Sequence, residues 1–151
     1  MKRKTAPVPK ITLRNLQRAV RVDLVDLEIF ARKAATLCLR LPSKKRTDLQ
    51  ALGEVSILII SDRRMASLHR RFMNEAGPTD VITFQHGEIF ISAETAQGNA
   101  RRFRNKFNRE LRLYVLHGLL HLHGFDDRDP ASARKMQAIQ ERVIARAGGL
   151  N

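Results

Sequence analysis

A chain of 151 residues has room for one domain that buries about two-thirds of its unfolded surface, and 43% hydrophobic with 28% charged residues is ordinary globular usage, which excludes wholesale disorder. Twenty-eight Lys and Arg face fifteen Asp and Glu, a formal charge of +13 that favours a polyanionic partner, nucleic acid foremost. No run reaches the roughly 18 apolar residues that a membrane-spanning helix needs.

The opening "MKRKTAPVPK" is basic and carries two prolines; it is expected to be a flexible tail over 1–10, ahead of a single domain over 11–151. Its apolar residues are too interrupted for a signal-peptide core, and a cytoplasmic location is expected. Alternation from Ile11 to Val20 predicts a first strand. Asp23 or Asp26 should cap a helix running to about Leu41, with Leu27, Phe30, Ala34 and Leu37 along one face and Pro42 as its stop. The single cysteine, Cys38, lies in that apolar pattern; it excludes an internal disulfide and reads as a packing residue in a reducing compartment. "PSKKRTD" reads as a basic loop. "VSILIIS", 55–61, is β-branched and almost uniformly apolar, which suits a central strand covered on both faces.

Ser61 or Asp62 caps the next helix, "DRRMASLHRRFM", with Met65, Leu68 and Phe72 as its apolar face. "DVITFQ" and "EIFIS" are short strands joined through His86 and Gly87 by a tight hairpin. "SAETAQGNARRFRNKFNRE" is helical with a break near Gly98, and a further helix runs from about Asn108 to His123, ended by Gly124. After the loop "DDRDP", a last amphipathic helix over about 131–147 carries Met136, Ile139, Val143 and Ile144 and stops at "GGLN". This order predicts an α/β (α+β) fold: one domain, a small mixed sheet with helices packed on it.

Chemistry concentrates in "HGLLHLHGFDD", 117–127. At 100° per residue His117 and His121 lie about 400° apart, on one face of their helix, where two imidazoles can meet one ion. Two such histidines are more often hydrogen-bonded core residues. The continuation argues otherwise: Gly124 turns the chain, and Asp126 and Asp127 follow where they can fold back to complete a three-ligand site. His123 lies about 200° round from His121 and faces away. Metalloprotease helices read H-E-x-x-H, and here Gly118 takes the place of the general base, so a peptidase is disfavoured.

At this point the sequence resembles the YbeY family of metal-dependent endoribonucleases, also called rRNA maturation factors. Residues 117–126 match the hallmark H-G-x-L-H-L-x-G-[YF]-D. "LHRRFMNEAGPTDVITF", 68–84, aligns with a second family block, roughly L-N-x-x-[YF]-R-x-x-x-x-P-T-D-V-L-S-F, and "GEIFIS", 87–92, with its sequel. The resemblance implies a zincin-like metal helix and cleavage of single-stranded RNA. It also implies a role in maturing the 3′ end of small-subunit rRNA and in ribosome quality control, with rRNA and the small ribosomal subunit as partners. In the family three histidines hold Zn²⁺; His117 and His121 carry over, and the third position is Asp127. Further departures are His69 for asparagine, Thr83 for serine and Met73 for an arginine that engages RNA.

A carboxylate with two histidines is an established catalytic zinc set, and its charge makes Mn²⁺ or another hard divalent ion more competitive. Asp127 is the expected third ligand; Asp126 is the alternative, or a group that orients a ligand or water. The reaction implied is attack of a metal-activated water on a phosphodiester, with no general base in the motif beyond a remote candidate, Glu110. For RNA capture the sequence offers Arg70 and Arg71 on the helix that carries Met73, and "RRFRNKFNRELR", 101–112, with Arg101, Arg102 and Arg104 foremost. Phe103 and Phe107 in that stretch are expected to pack in the core. The basic triplet at 44–46 extends the same surface. A second reading, prompted by Met73 and Asp127, is a non-catalytic, basic ribosome-binding assembly factor with a structural or degenerate metal site.

Overall fold

The computed structural model describes residues 6–147. In chain order the elements are β1 Lys10–Asn15, α1 Leu24–Leu39, α2 Asp48–Ala51, β2 Glu54–Ile60, α3 Asp62–Met73, β3 Val81–Phe84, β4 Glu88–Ser92, α4 Ala93–Arg102, α5 Phe107–Leu122 and α6 Pro130–Arg146. The described strands form one mixed sheet in the order β1-β2-β4-β3, with β1, β2 and β4 parallel and β3 antiparallel on the edge.

The uniform apolarity of β2 has the cause its sequence suggests. Alternate side chains face two different cores: Val55, Ile57 and Ile59 join the large cluster with α1, α4, α5 and α6, whereas Leu58 and Ile60 join a small one with Met65, Ile82 and Phe90. The small cluster needs little cover. Met65 is buried, but Phe72, expected on the same face of α3, is 54% exposed and meets Phe84 edge-on.

Four local expectations are revised. β1 stops at Asn15, five residues short, because the Gln17 side chain takes over: Nε2 donates to Asn15 Oδ1 and Val20 O, and Oε1 accepts from Val20 N. Within the basic loop, "TDLQ" forms a capping box in which Thr47 Oγ1 accepts from Gln50 N and Gln50 Oε1 from Thr47 N, so a turn of helix, α2, starts there. Third, α4 runs through the exposed Gly98; the break falls at Phe103 to Lys106, where Arg104 takes a left-handed φ of 55°. Fourth, Phe103 is not core: it is 59% exposed, with the Arg102 guanidinium 5.3 Å from its ring centre, whereas Phe107 packs against the large cluster. Of the expected basic tail, residues 1–5 lie outside the described residues, as does the "GGLN" stop, and Lys10 is already paired in β1.

α5 is the central helix, touching α1, α4, α6 and strands β3 and β4. Gly118 is what lets it lie on the sheet: a Cβ there would stand 2.7 Å from Cγ2 and 2.8 Å from Cδ1 of the fully buried Ile89 on β4. Arg112 pairs with Asp26 at 3.0 Å and Arg109 with Glu141 at 2.7 Å, tying α5 to α1 and α6. Two of the six cations in 101–112 are therefore engaged in structural ion pairs.

Candidate metal centre

α5 ends in a Schellman turn: Phe125 N–H donates to Leu120 O and Gly124 N–H to His121 O, with Gly124 at φ 91°. A left-handed residue here reverses the chain, and the reversal carries Asp127 back over the last turns of the helix. Asp129 then caps α6 by accepting from Ser132 N–H at 2.8 Å, with Pro130 in the first turn. Because the cap is Asp129, Asp127 is free of that duty.

His117 Nε2 and His121 Nε2 stand 3.0 Å apart, and Asp127 offers Oδ2 at 3.6 Å from the first and Oδ1 at 4.0 Å from the second. Tetrahedral ligands at about 2.0–2.1 Å from an ion sit about 3.3 Å from one another, so this donor set brackets the size of a zinc site. Side-chain exposures of 28%, 31% and 48% leave one side open to solvent. His117 Nδ1 faces Gln140 Oε1 on α6 at 2.8 Å. An amide oxygen only accepts, so Nδ1 carries the proton and Nε2 turns a bare lone pair to the cluster.

Burial, and secondarily the neighbouring His117, lower the His121 pKa; Asp127, a backbone hydrogen bond with Phe125 and Asp126 oppose this without cancelling it. A histidine whose folded-state pKa lies below its ordinary 6.5 is protonated more readily in the unfolded chain, so its contribution to stability is present above 6.5 and lost as pH falls through the folded value. The metal-free protein should lose urea resistance as pH falls below 6.5, and His121→Asn should flatten that dependence. An equally steep profile in the variant would assign the effect to other groups.

The other acidic residue and the third histidine of the motif are placed differently. Asp126 Oδ1 accepts from Arg128 N–H, a local turn, and its side chain faces the neighbouring cavities. His123 is 1% exposed, with Nε2 donating to Leu41 O at 2.9 Å and Nδ1 accepting from Thr47 Oγ1 at 3.0 Å. It is a satisfied core histidine on the side of α5 away from the cluster. His123→Ala should cost about 1–3 kcal/mol in chemical denaturation, by removing a buried ring and both of its hydrogen bonds, and leave bound metal per protein unchanged. Glu110, at 5% exposure, accepts from Asn105 Nδ2 and is buried structure.

His117 and His121 line a cavity of about 450 Å³ whose other walls include Met73, Thr83, Gln85 and Arg128. Thr83 Oγ1 there is buried with no hydrogen-bond partner among the described residues. None of Arg70, Arg71, Arg101, Arg102 and Arg104 lines this cavity; all five are exposed outside it, and Arg71 rests on Phe72. Arg128 and Gln140 went unremarked in the sequence. Arg128 directly follows the two aspartates and could have been noticed; Gln140 is brought to His117 from 23 residues away by helix packing, with no local signal.

The profile of the family described as Endoribonuclease YbeY matches residues 13–148. A protein of Anaeromyxobacter sp. named Endoribonuclease YbeY is 40% identical over 125 residues, which cover 74% of this chain and 65% of that protein's length. One of the same name from Phocaeicola vulgatus is 32% identical over 101 residues, covering 62% of this chain and 73% of the relative. A Thermotoga maritima protein solved in solution superposes with a TM-score of 0.64 at 24% identity, over 92% of this chain and 89% of that one, a likeness of fold. With the histidine helix, the Gly124 turn and the 68–92 blocks all inside the matched region, this chain belongs to the YbeY endoribonuclease family.

Proposed function

We propose that this protein is a single-strand-specific, metal-dependent endoribonuclease whose ion is held by His117, His121 and Asp127. The observation that supports it most directly is the convergence of these three residues' ligating atoms within 4.8 Å at the edge of an open cavity. When bound, a divalent ion supplies Lewis acidity toward a phosphoryl oxygen and acidifies water. The chain does the rest. Gln140 fixes the tautomer of His117, burial keeps His121 neutral and ready to ligate, and Asp127 contributes the one negative charge. That charge offsets part of the metal's own, so Zn²⁺ is the expected ion, with Mn²⁺ a stronger competitor than three imidazoles would allow. Arg128 places a cation in the cavity where the family arginine position, Met73, has none. The five exposed arginines, Arg70, Arg71, Arg101, Arg102 and Arg104, act at longer range, drawing a polyanion toward the protein.

Family membership and the charge of +13 support a place for this activity in the cytoplasm, in 3′-end maturation of small-subunit rRNA and quality control of the small ribosomal subunit. The direct test is metal content of the purified protein together with cleavage of matched single- and double-stranded RNA. Zinc-dependent cuts confined to single strands are expected. The apolar Met73 in the cavity favours a second reading, a non-catalytic ribosome-binding factor; it would prevail if RNA were bound but left intact with zinc or manganese supplied. Gln140→Leu should weaken zinc binding about 10- to 100-fold at unchanged thermal stability, because His117 is then no longer held in orientation. Unaltered affinity would remove Gln140 from the site.

A further inference from the structure

A second cavity, of about 570 Å³, adjoins the one at the histidines, and Phe125 lines both. Its walls carry Lys44, Lys45 and Arg46 from the loop between α1 and α2, and Lys135 from α6, against the acidic Asp48 and Asp126. Phe125 is half-buried: it packs against the large core, and the Lys135 ammonium lies 5.8 Å from its ring centre. The basic loop is fastened in place. The two hydrogen bonds of His123 go to Leu41 and Thr47, the residues that flank 42–46 on either side, so the buried histidine of the motif closes that loop beside Phe125.

We infer that this second cavity is a nucleotide subsite for single-stranded RNA. The base adjacent to the cleaved linkage stacks on Phe125, and the phosphates that follow run along Lys44, Lys45, Arg46 and Lys135. The inference rests on the reading of the protein as an RNA-cleaving enzyme and gives it a direction: the strand lies across the Phe125 ridge from the metal cavity toward the basic loop. Charge complementarity commits the site to a polyanion. The aromatic ring commits it to one with free bases, because stacking on a side chain requires a base that is not already stacked in a duplex. Preference for single strands then follows from the shape of this ridge.

The test is binding of a fluorescein-labelled single-stranded RNA oligonucleotide to the full chain by anisotropy, without added metal, beside zinc-supported cleavage of the same RNA. Lys44→Glu/Lys45→Glu/Arg46→Glu should weaken binding about tenfold or more and lower the salt dependence of log K by about 2, at about 0.7 for each phosphate that is no longer neutralised. Arg18→Glu/Arg21→Glu/Lys33→Glu, the same charge change on exposed residues that line neither cavity, should weaken it far less. Phe125→Leu, which keeps an apolar side chain against the core, should cost roughly five- to hundredfold on ordinary RNA and nothing further on an abasic strand. Should that variant fold poorly, the wild type's own preference for base-containing over abasic RNA reads out the same stacking.

Equal losses from the two triple variants overturn the basic path. A Phe125→Leu loss that persists on abasic RNA, or a wild type indifferent to bases, overturns the stacking. In either case the wild type still binds and cleaves, so the enzymatic reading stands. A wild type that neither binds nor cleaves RNA sinks that reading, and the subsite with it.

Discussion

Asp127→Ala should lower zinc affinity by more than about a hundredfold and RNA cleavage with it, since it removes one of the three ligands we propose and not merely a group that orients them. The fold should be indifferent. Asp127 is 48% exposed on its side chain, and the α6 cap is supplied by Asp129, so the change in stability should stay within about 0.5 kcal/mol. Asp126→Ala is the matched control, because Asp126 is spent on the Arg128 turn; it should keep its metal. Asp127→His should retain zinc and make manganese a poorer competitor, since it restores three neutral donors. Chelator competition on the four proteins decides the matter. Undiminished zinc affinity in Asp127→Ala would strike Asp127 from the ligands, and loss in Asp126→Ala would transfer the role to its neighbour.

Gly118→Glu, which writes the protease pattern H-E-x-x-H into this helix, should destabilise the protein by at least about 3 kcal/mol and confer no peptidase activity. The glycine does not face the cluster. It faces Ile89 on β4, so the new side chain would press a carboxylate into a close-packed core. The smaller Gly118→Ala isolates the steric part: helix propensity returns about 1 kcal/mol, and overpacking against a β-branched, fully buried residue costs about 1–3 kcal/mol. The net effect should be a modest loss, which Ile89→Ala in the same chain partly relieves. Strict additivity of the two substitutions in urea denaturation would mean that no clash exists.

The histidine pair was legible because its geometry is local: a spacing of four on a continuous helix fixes two side chains on one face, whatever else the chain does. Gly124 was legible for the same kind of reason, since only a residue at ease with positive φ ends a helix in this way. The capping box "TDLQ" was equally local and passed unread inside a basic run. The end of β1 was harder, because its apolar alternation continues beyond Asn15 while a single glutamine diverts the backbone hydrogen bonds. Phe72 and Phe103 show the limit of periodicity: a helical apolar face is buried only where a partner covers it, and α3 and α4 are covered in part.

By itself the sequence determined the family, the two histidines, the turn after them and the surplus of positive charge, all properties of short stretches or of simple sums. Only the tertiary structure decided which neighbours complete the site. Gln140 reaches His117 because α6 packs along α5, His123 turns inward to hold the basic loop, and Asp127 rather than Asp126 swings back over the histidines. It also took the arginines that composition favoured away from the cavity and put Arg128 there instead. Distances across packed helices depend on side-chain volumes summed over the whole core, Ile89 against Gly118 among them, and no local pattern encodes such a sum.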